Sequence, residues 1–349
     1  MTAPTSEDRL AGVLVGTALG DALGLPLENL SARRIERLFG RVTRFRFLGR
    51  TGFVSDDTEQ TAFVADALIR AGPDDPDRGA RAFAWRLRGW VLRAPFGVGF
   101  ATLRACAKLL LFFPPSKSGV RSAGNGAAMR TAILGAFFAA EPPRRAAWSE
   151  AIARVTHTDP RAIQGAGYVA ALAAQAAQAP SDRAPDLLAA AQGVVEDASL
   201  LKAIQAAQHF AQVGAPTEEA APALGVTGFV LHTVPFAAYA YARWGADPRQ
   251  ALEEAVNAGG DSDTTGAIVG ALVGARHGLS GLPQDLVEHL EDGPLGRRHL
   301  LALAHALASG IPARPPGYSA LKLLARNLLL LPVIFGHVGW RVVGALFKR

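Results

Sequence analysis

Apolar residues recur at intervals of three and four along most of the chain, and windows that alternate apolar and polar positions with β-branched enrichment are scarce. That period places apolar side chains on one face of a helix, so the pattern predicts an all-α fold. Helices are expected over residues 10–25, from a start within residues 52–61 through Ile69, from Ala80 to about Phe113 with a break near Pro95-Phe96-Gly97, and in proline-punctuated, alanine-rich pieces over 140–225. Further helices are expected over 226–243, 247–256 and 264–278, and as a pair reaching about Gly310. Pro114-Pro115 ends the third of these, since proline lacks an N–H and clashes with the preceding turn.

Two segments depart from ordinary helix composition. Gly12, Gly16, Gly20 and Gly24 form a four-residue stripe, and so do Gly266, Gly270 and Gly274. Each glycine costs a helix interior about 1 kcal/mol relative to alanine, which the close approach of a second helix backbone would offset. The pattern therefore predicts that the two pack antiparallel, with Asp21 brought beside Asp261 and Asp263. The plainer alternative is that each stripe allows close packing with some other element.

Composition narrows the class. The chain has 349 residues, 50% of them hydrophobic and 19% charged, enough to bury a large core. Cys106 is the single cysteine, which excludes an internal disulfide, and residues 1–10 lack a basic region followed by an apolar one, so the expected location is cytoplasmic. The net charge is +6, but residues 319–349 hold Lys322, Arg326, Arg341, Lys348 and Arg349 with no acid, leaving a net +1 on the other 318. A nucleic-acid partner is not expected from so neutral a body.

Residues 311–318, rich in proline and glycine, read as a linker that separates a unit over 1–310 from a basic, apolar tail over 319–349. Within the tail, Asn327 to Trp340 carries no formal charge; these fourteen residues include Pro332 and Gly336. That falls short of the ~20 residues of a spanning helix. Two readings stay open: peripheral membrane contact, with the basic residues on anionic lipid, and a C-terminal helix docked on the body. The sequence sets no oligomeric state.

The candidate chemistry lies at helix starts. Ser55, Asp56 and Asp57 precede one helix, and Asp261, Asp263 and Thr264 open another about 200 residues later. Helix capping uses such residues, but two acids with neighbouring hydroxyls exceed what one cap needs. Four carboxylates balance two divalent cations, which favours a binuclear Mg²⁺ or Mn²⁺ site. Glu28 follows the first glycine stripe on a short loop. Gly124-Asn125-Gly126 is either an Asn-Gly turn or a loop whose amides meet a phosphate or sugar. His157 stands at the mouth of the next helix, with no cysteine or paired histidine at zinc-ligand spacing.

Taken together, Gly20-Asp21-Ala22-Leu23-Gly24-Leu25-Pro26-Leu27-Glu28, Ser55-Asp56-Asp57-Thr58, the loop from Gly124 to Arg130, Thr156-His157 and the stretch from Gly259 to Gly266 resemble the ADP-ribosylglycohydrolase family, in family order. The resemblance implies a compact multi-helix bundle of the orthogonal type and a binuclear Mg²⁺ or Mn²⁺ centre in a cleft. It also implies hydrolysis of the bond between ADP-ribose and an acceptor, either an ADP-ribosylated protein side chain or a small ADP-ribosyl compound. It assigns metal binding to Ser55, Asp56, Asp57, Asp261, Asp263 and Thr264. Ser55 replaces the threonine of many members but keeps the hydroxyl. It assigns catalysis to Glu28, and substrate binding to Asp21, Ser122, Gly124, Asn125, Gly126, His157 and Gly260. Members close to the nitrogenase-associated enzymes carry an acid where this chain has Ser122, which shifts acid/base work towards Glu28. A non-catalytic ADP-ribose binder is the competing class.

Overall fold

A computed structural model describes residues 4–178 and 184–347. The chain is all-α, and its helices assemble around one antiparallel pair, Ser6–Gly24 against Ser262–His277. The glycine stripes face each other residue for residue. A Cβ on Gly16 would lie 2.1 Å from the Gly270 carbonyl oxygen, one on Gly20 1.8 Å from that of Gly266, and one on Gly12 2.4 Å from that of Gly274. Both helices are buried all round, over Leu10–Gly24 and Ser262–Arg276, so the pair forms the centre of the core and shows no polar face there. At one end Ser262 Oγ donates to the Gly24 carbonyl at 3.0 Å, which locks the register where the acids begin.

The remaining helices wrap this pair. Asp56–Ala71 packs against it, followed by Pro76–Val91 and Phe100–Leu110, and the expected break falls between the last two. The alanine-rich region gives Pro142–Arg154, Pro160–Gln178, Ala184–Ala191, Ala198–Gln212 and Thr217–Leu224. Val230–Trp244 and Pro248–Asn257 then lead back to the central pair. Asp75 and Asp247 cap their helices by accepting backbone N–H groups at 2.8 and 2.9 Å. Among the described residues the strand content is two residues on each side: Leu30 pairs with Gly260 and Ser31 with Gly259, antiparallel. Gly259 and Gly260 both have φ above +70°, and a Cβ on Gly260 would meet the Val226 carbonyl at 1.9 Å, so this bend accepts only glycine.

The C-terminal region differs from the short apolar stretch read from the sequence. Ala320–Phe347 is one helix of 28 residues that runs through Pro332, and Ala320–His337 is long and apolar enough to cross a membrane, with 17% of it buried. Its Leu323, Asn327 and Leu330 are buried on one face, an i, i+4, i+7 stripe against the body. Arg326 pairs with Glu59 and Glu291, Asn327 Nδ2 donates to the Arg93 carbonyl at 2.8 Å, and His337 Nε2 lies 3.0 Å from the Pro26 carbonyl. Residues 311–318 are also held: Ala313 N donates to the Ile69 carbonyl at 2.8 Å, and the Tyr318 ring stacks 6.3 Å from Phe63. Lys348 and Arg349 lie outside the described residues.

Candidate active site

The first acid of the site works through a helix it does not belong to. Asp21, fully buried on the central helix, accepts from Ser55 N at 2.9 Å, Thr58 N at 3.2 Å and Thr58 Oγ1 at 2.5 Å. It therefore caps the Asp56–Ala71 helix from outside and holds Ser55, Asp56 and Asp57 at the edge of the core. Burial raises its carboxyl to about 6, against the pull of those hydrogen bonds. Asp21 lines neither cavity of the cleft, and its contacts are those of a positioning residue.

Asp56 and Asp57 lie at the start of the capped helix. Asp56 Oδ2 accepts from Gln60 Nε2 at 2.8 Å; Gln60 Oε1 in turn accepts from Arg130 at 2.6 Å. Arg130 is fully buried, lies 4.7 Å from the centre of the Phe83 ring, and donates also to Thr156 Oγ1 at 2.6 Å. Asp57 Oδ2 faces the hydroxyls of Thr264 and Ser55 at 3.3 and 3.5 Å, and so joins the two acidic motifs across the cleft. Across from it, Asp261 accepts from Asn125 Nδ2 at 2.7 Å, which itself rests on Thr233 Oγ1 at 2.9 Å. Gly228 and Gly97 lie at the rim, where a Cβ would come 2.9 Å from a carboxylate oxygen of Asp261 or Asp56 respectively and would displace that carboxylate.

The electrostatics are those of a crowded anion cluster. Asp56, Asp57 and Asp263 are all pushed well above the usual carboxylate range, first by burial and then by neighbouring acids, Glu28 among them in each case. His157 is driven the other way, to about 3, by burial and by the nearby Arg130 guanidinium. Its imidazole is therefore neutral, with Nδ1 2.8 Å from Thr156 Oγ1, and it packs beside Gly126 as a wall of the pocket.

A cavity of about 260 Å³ gathers Glu28, Asp56, Asn125, His157, Asp263 and Thr264, with Ser122, Gly124 and Gly126 along its edge. A second, of about 790 Å³, shares Glu28, Gly228 and Asp261 with it and includes Gly260. Gly260 reaches the cleft through its backbone, because its positive φ turns the chain into Asp261. Ser122 Oγ accepts from Gly124 N at 3.3 Å and shapes the loop. Glu28 is half-buried at the junction of the two cavities, with Asn29 Nδ2 3.1 Å from its Oε1.

A hard divalent cation fits this donor set on two observations. The Oδ1 atoms of Asp21 and Asp57 are buried without a hydrogen-bond partner, and the Ser55, Asp57 and Thr264 oxygens meet only at long distances. Among the described residues, no three His, Cys, Asp or Glu side chains gather around one point. A cation here would take pairs of carboxylates completed by hydroxyls and water, the coordination typical of Mg²⁺.

Several residues that shape the site carry no sequence signal of their own. Gln60, Gly97, Gly228 and Thr233 are ordinary residues until the fold brings them in. Arg130 closes the matched loop motif, and Gln60 stands one helical turn after Asp56; those placements are the only hints.

The fold and its side chains define an all-α protein with an oxygen-lined acidic cleft. The family model for ADP-ribosylglycohydrolase matches residues 2–316, and the chain belongs to that family. A protein of unassigned function from Archaeoglobus fulgidus is 34% identical over 293 residues, covering 82% of this chain and 92% of its own. The ADP-ribosyl-[dinitrogen reductase] glycohydrolase of Rhodospirillum rubrum is 28% identical, covering 83% and 93%, and an ADP-ribosylarginine hydrolase of Pseudomonas putida is 27% identical, covering 89% and 81%. A solved structure described as an ADP-ribosylglycohydrolase-related protein complex superposes with a TM-score of 0.67 at 30% identity, over 87% of this chain and 98% of that one.

Proposed function

We propose that the protein hydrolyses the glycosidic bond between ADP-ribose and an acceptor side chain, releasing free ADP-ribose, and that Mg²⁺ or Mn²⁺ ions are required. The observation that carries this reading is the convergence of Glu28, Asp56, Asp261 and Asp263 on adjoining cavities also lined by the Gly124–Asn125–Gly126 loop and His157, with Asp57 behind them against Thr264. Two of the named relatives act on ADP-ribosylated arginine or on ADP-ribosyl-dinitrogen reductase, which makes arginine-linked ADP-ribose the first substrate to try.

In this reading Ser55, Asp56, Asp57, Asp261, Asp263 and Thr264 hold two cations. Bound there, the cations supply charge neutralisation for the acids, a grip on vicinal ribose hydroxyls and a water of lowered pKa. The chain's own residues do the rest. Asn125 fixes the Asp261 carboxylate, Gln60 fixes that of Asp56, and Asp21 holds the helix start that carries the pair. The glycines at 124 and 126 let the sugar or diphosphate approach backbone amides. Glu28, at the junction of the cavities, moves the proton as the acceptor leaves an oxocarbenium-like ribose. His157, kept neutral, offers a hydrogen bond and a flat face rather than a charge.

The test is release of ADP-ribose from arginine- and serine-linked substrates with Mg²⁺, Mn²⁺ or EDTA. Turnover is expected with metal only. Asp261→Ala should lower it at least a hundredfold at unchanged helicity, and Glu28→Gln should lower kcat more than it changes KM. Full activity in folded Asp261→Ala would remove the metal assignment. ADP-ribose binding without turnover would select the binder instead.

A further inference from the structure

The near-neutral charge of the body conceals an uneven distribution. Between Asp77 and Glu141 the chain has ten arginines and lysines and no acid. The same region carries much of the exposed apolar surface: twelve of the fifteen large apolar side chains most exposed among the described residues fall within 85–113 and 321–335. Phe112 is 77% exposed, Leu111 73%, Leu329 75% and Phe335 71%. On the Phe100–Leu110 helix the outward stripe is Phe100, Leu103, Ala107 and Leu110; on the C-terminal helix it is Leu321, Ala325, Leu328 and Pro332. Apolar residues at helical spacing on an outward face are not core residues, and together they exceed the scattered singles of an ordinary surface.

The C-terminal helix meets the 85–113 region at the turn that follows Val91. Asn327 Nδ2 donates to the Arg93 carbonyl, and Arg326 lies 5.9 Å from the centre of the Phe96 ring, so exposed Leu92 and Leu328 each flank a residue of that joint. Beside them Arg88 sits between the rings of Trp85 and Phe112, at 5.4 and 5.6 Å. Arg88 and Trp85 also line a groove of about 850 Å³ that includes Arg78, Arg81 and Arg314 and no carboxylate. Asp66 and Asp75 pair with Arg70, Arg86 and Arg81 from outside the groove lining, which leaves Arg78, Arg88 and Arg314 with no carboxylate pair among the described residues. Leucines and aromatics at the surface, a tryptophan among them, beside such arginines are the composition of an interfacial anchor on anionic lipid. Although Ala320–His337 is long enough to span, its Arg326 and Asn327 are bound into the body, so the helix lies flat on it.

We infer that this face, formed by residues 85–113 and the outward side of the C-terminal helix, binds the surface of an anionic bilayer. Apolar side chains enter the headgroup boundary and the arginine groove meets lipid phosphates. The proposal is independent of the hydrolase reading.

Flotation of the full-length protein with mixed phosphatidylglycerol/phosphatidylcholine vesicles tests it, with pure phosphatidylcholine vesicles as control. Binding is expected only to the mixed vesicles and should weaken with salt. Phe112→Asp and Leu329→Asp, both at solvent-facing positions, should each lower partitioning about tenfold with unchanged thermal unfolding. Absence of flotation overturns the proposal. So does vesicle capture that neither variant alters and inorganic polyphosphate abolishes, since that marks a soluble-polyanion site. Concentration-dependent dimerisation without flotation, reversed by the same variants, would assign the face to a second copy and also overturn it.

Discussion

Asp57 shows how much of the site's character comes from one residue's surroundings. It is buried, one oxygen has no hydrogen-bond partner, and acids approach it from Asp21 and Asp261. Its folded pKa is raised above the unfolded one, so the group's contribution to stability is fully present below the unfolded value and is lost as pH rises through the raised value. The metal-free protein should therefore lose stability from acid to neutral pH on account of Asp57, Asp56 and Asp263 together. Asp57→Asn removes one of these charges. It is expected to raise the Tm of the metal-free protein at neutral pH and to shrink that loss, while abolishing turnover. Added Mg²⁺ or Mn²⁺ should raise the wild-type Tm and EDTA should reverse the rise, by preferential binding to the folded state. The variant should lose most of this response. A calorimetric series with and without metal separates the two effects, and an equal metal response in Asp57→Asn would remove Asp57 from the ligand set.

At the scale of elements, the central helix pair was the most legible feature of the sequence, and the reason is steric. Four-residue glycine stripes have few uses in a helix interior, and a Cβ on any glycine of these two would meet the opposite backbone at 1.8–2.6 Å. Gly20→Ala is therefore expected to wedge the pair apart beside Asp21 and to cost at least the 1–3 kcal/mol of ordinary overpacking. The same substitution at Gly193, where nothing lies within 4 Å of the added Cβ, should be near neutral in urea unfolding. The acidic motifs were legible for a related reason, since paired acids with hydroxyls at a helix start exceed capping needs. Asp21 was not. Its hydrogen bonds to Ser55 and Thr58 are made across 34 and 37 residues of sequence, a relation no local pattern encodes. The C-terminal helix was underestimated because counting uncharged residues stopped at Arg326, a cation that is buried and paired in the fold.

The whole molecule is tied together by that cation. Arg326 bridges Glu59, on the helix that begins with Asp56, and Glu291, near the end of the body, and Trp90 Nε1 donates to the other Glu59 oxygen at 2.5 Å. All three charged side chains are at most 9% exposed. Such a triad is not evidence of net stabilisation by itself, because desolvating three ions offsets much of their attraction; removing the single cation is a different matter, since two carboxylates are then left buried and facing each other. Arg326→Ala is expected to destabilise the protein by about 3–5 kcal/mol. It should also loosen Asn327 and His337, which bind the backbone at Arg93 and Pro26, just ahead of Gly97 and Glu28 at the cleft. Loss of hydrolase activity should therefore accompany loss of stability, although the family match ends at residue 316. Restoring neutrality distinguishes this account from simple loss of packing. Arg326→Met combined with Glu59→Gln and Glu291→Gln should recover most of the urea midpoint, because no uncompensated charge remains. If the triple variant stays as unstable as Arg326→Ala, the helix is held by its apolar contacts and the triad is incidental.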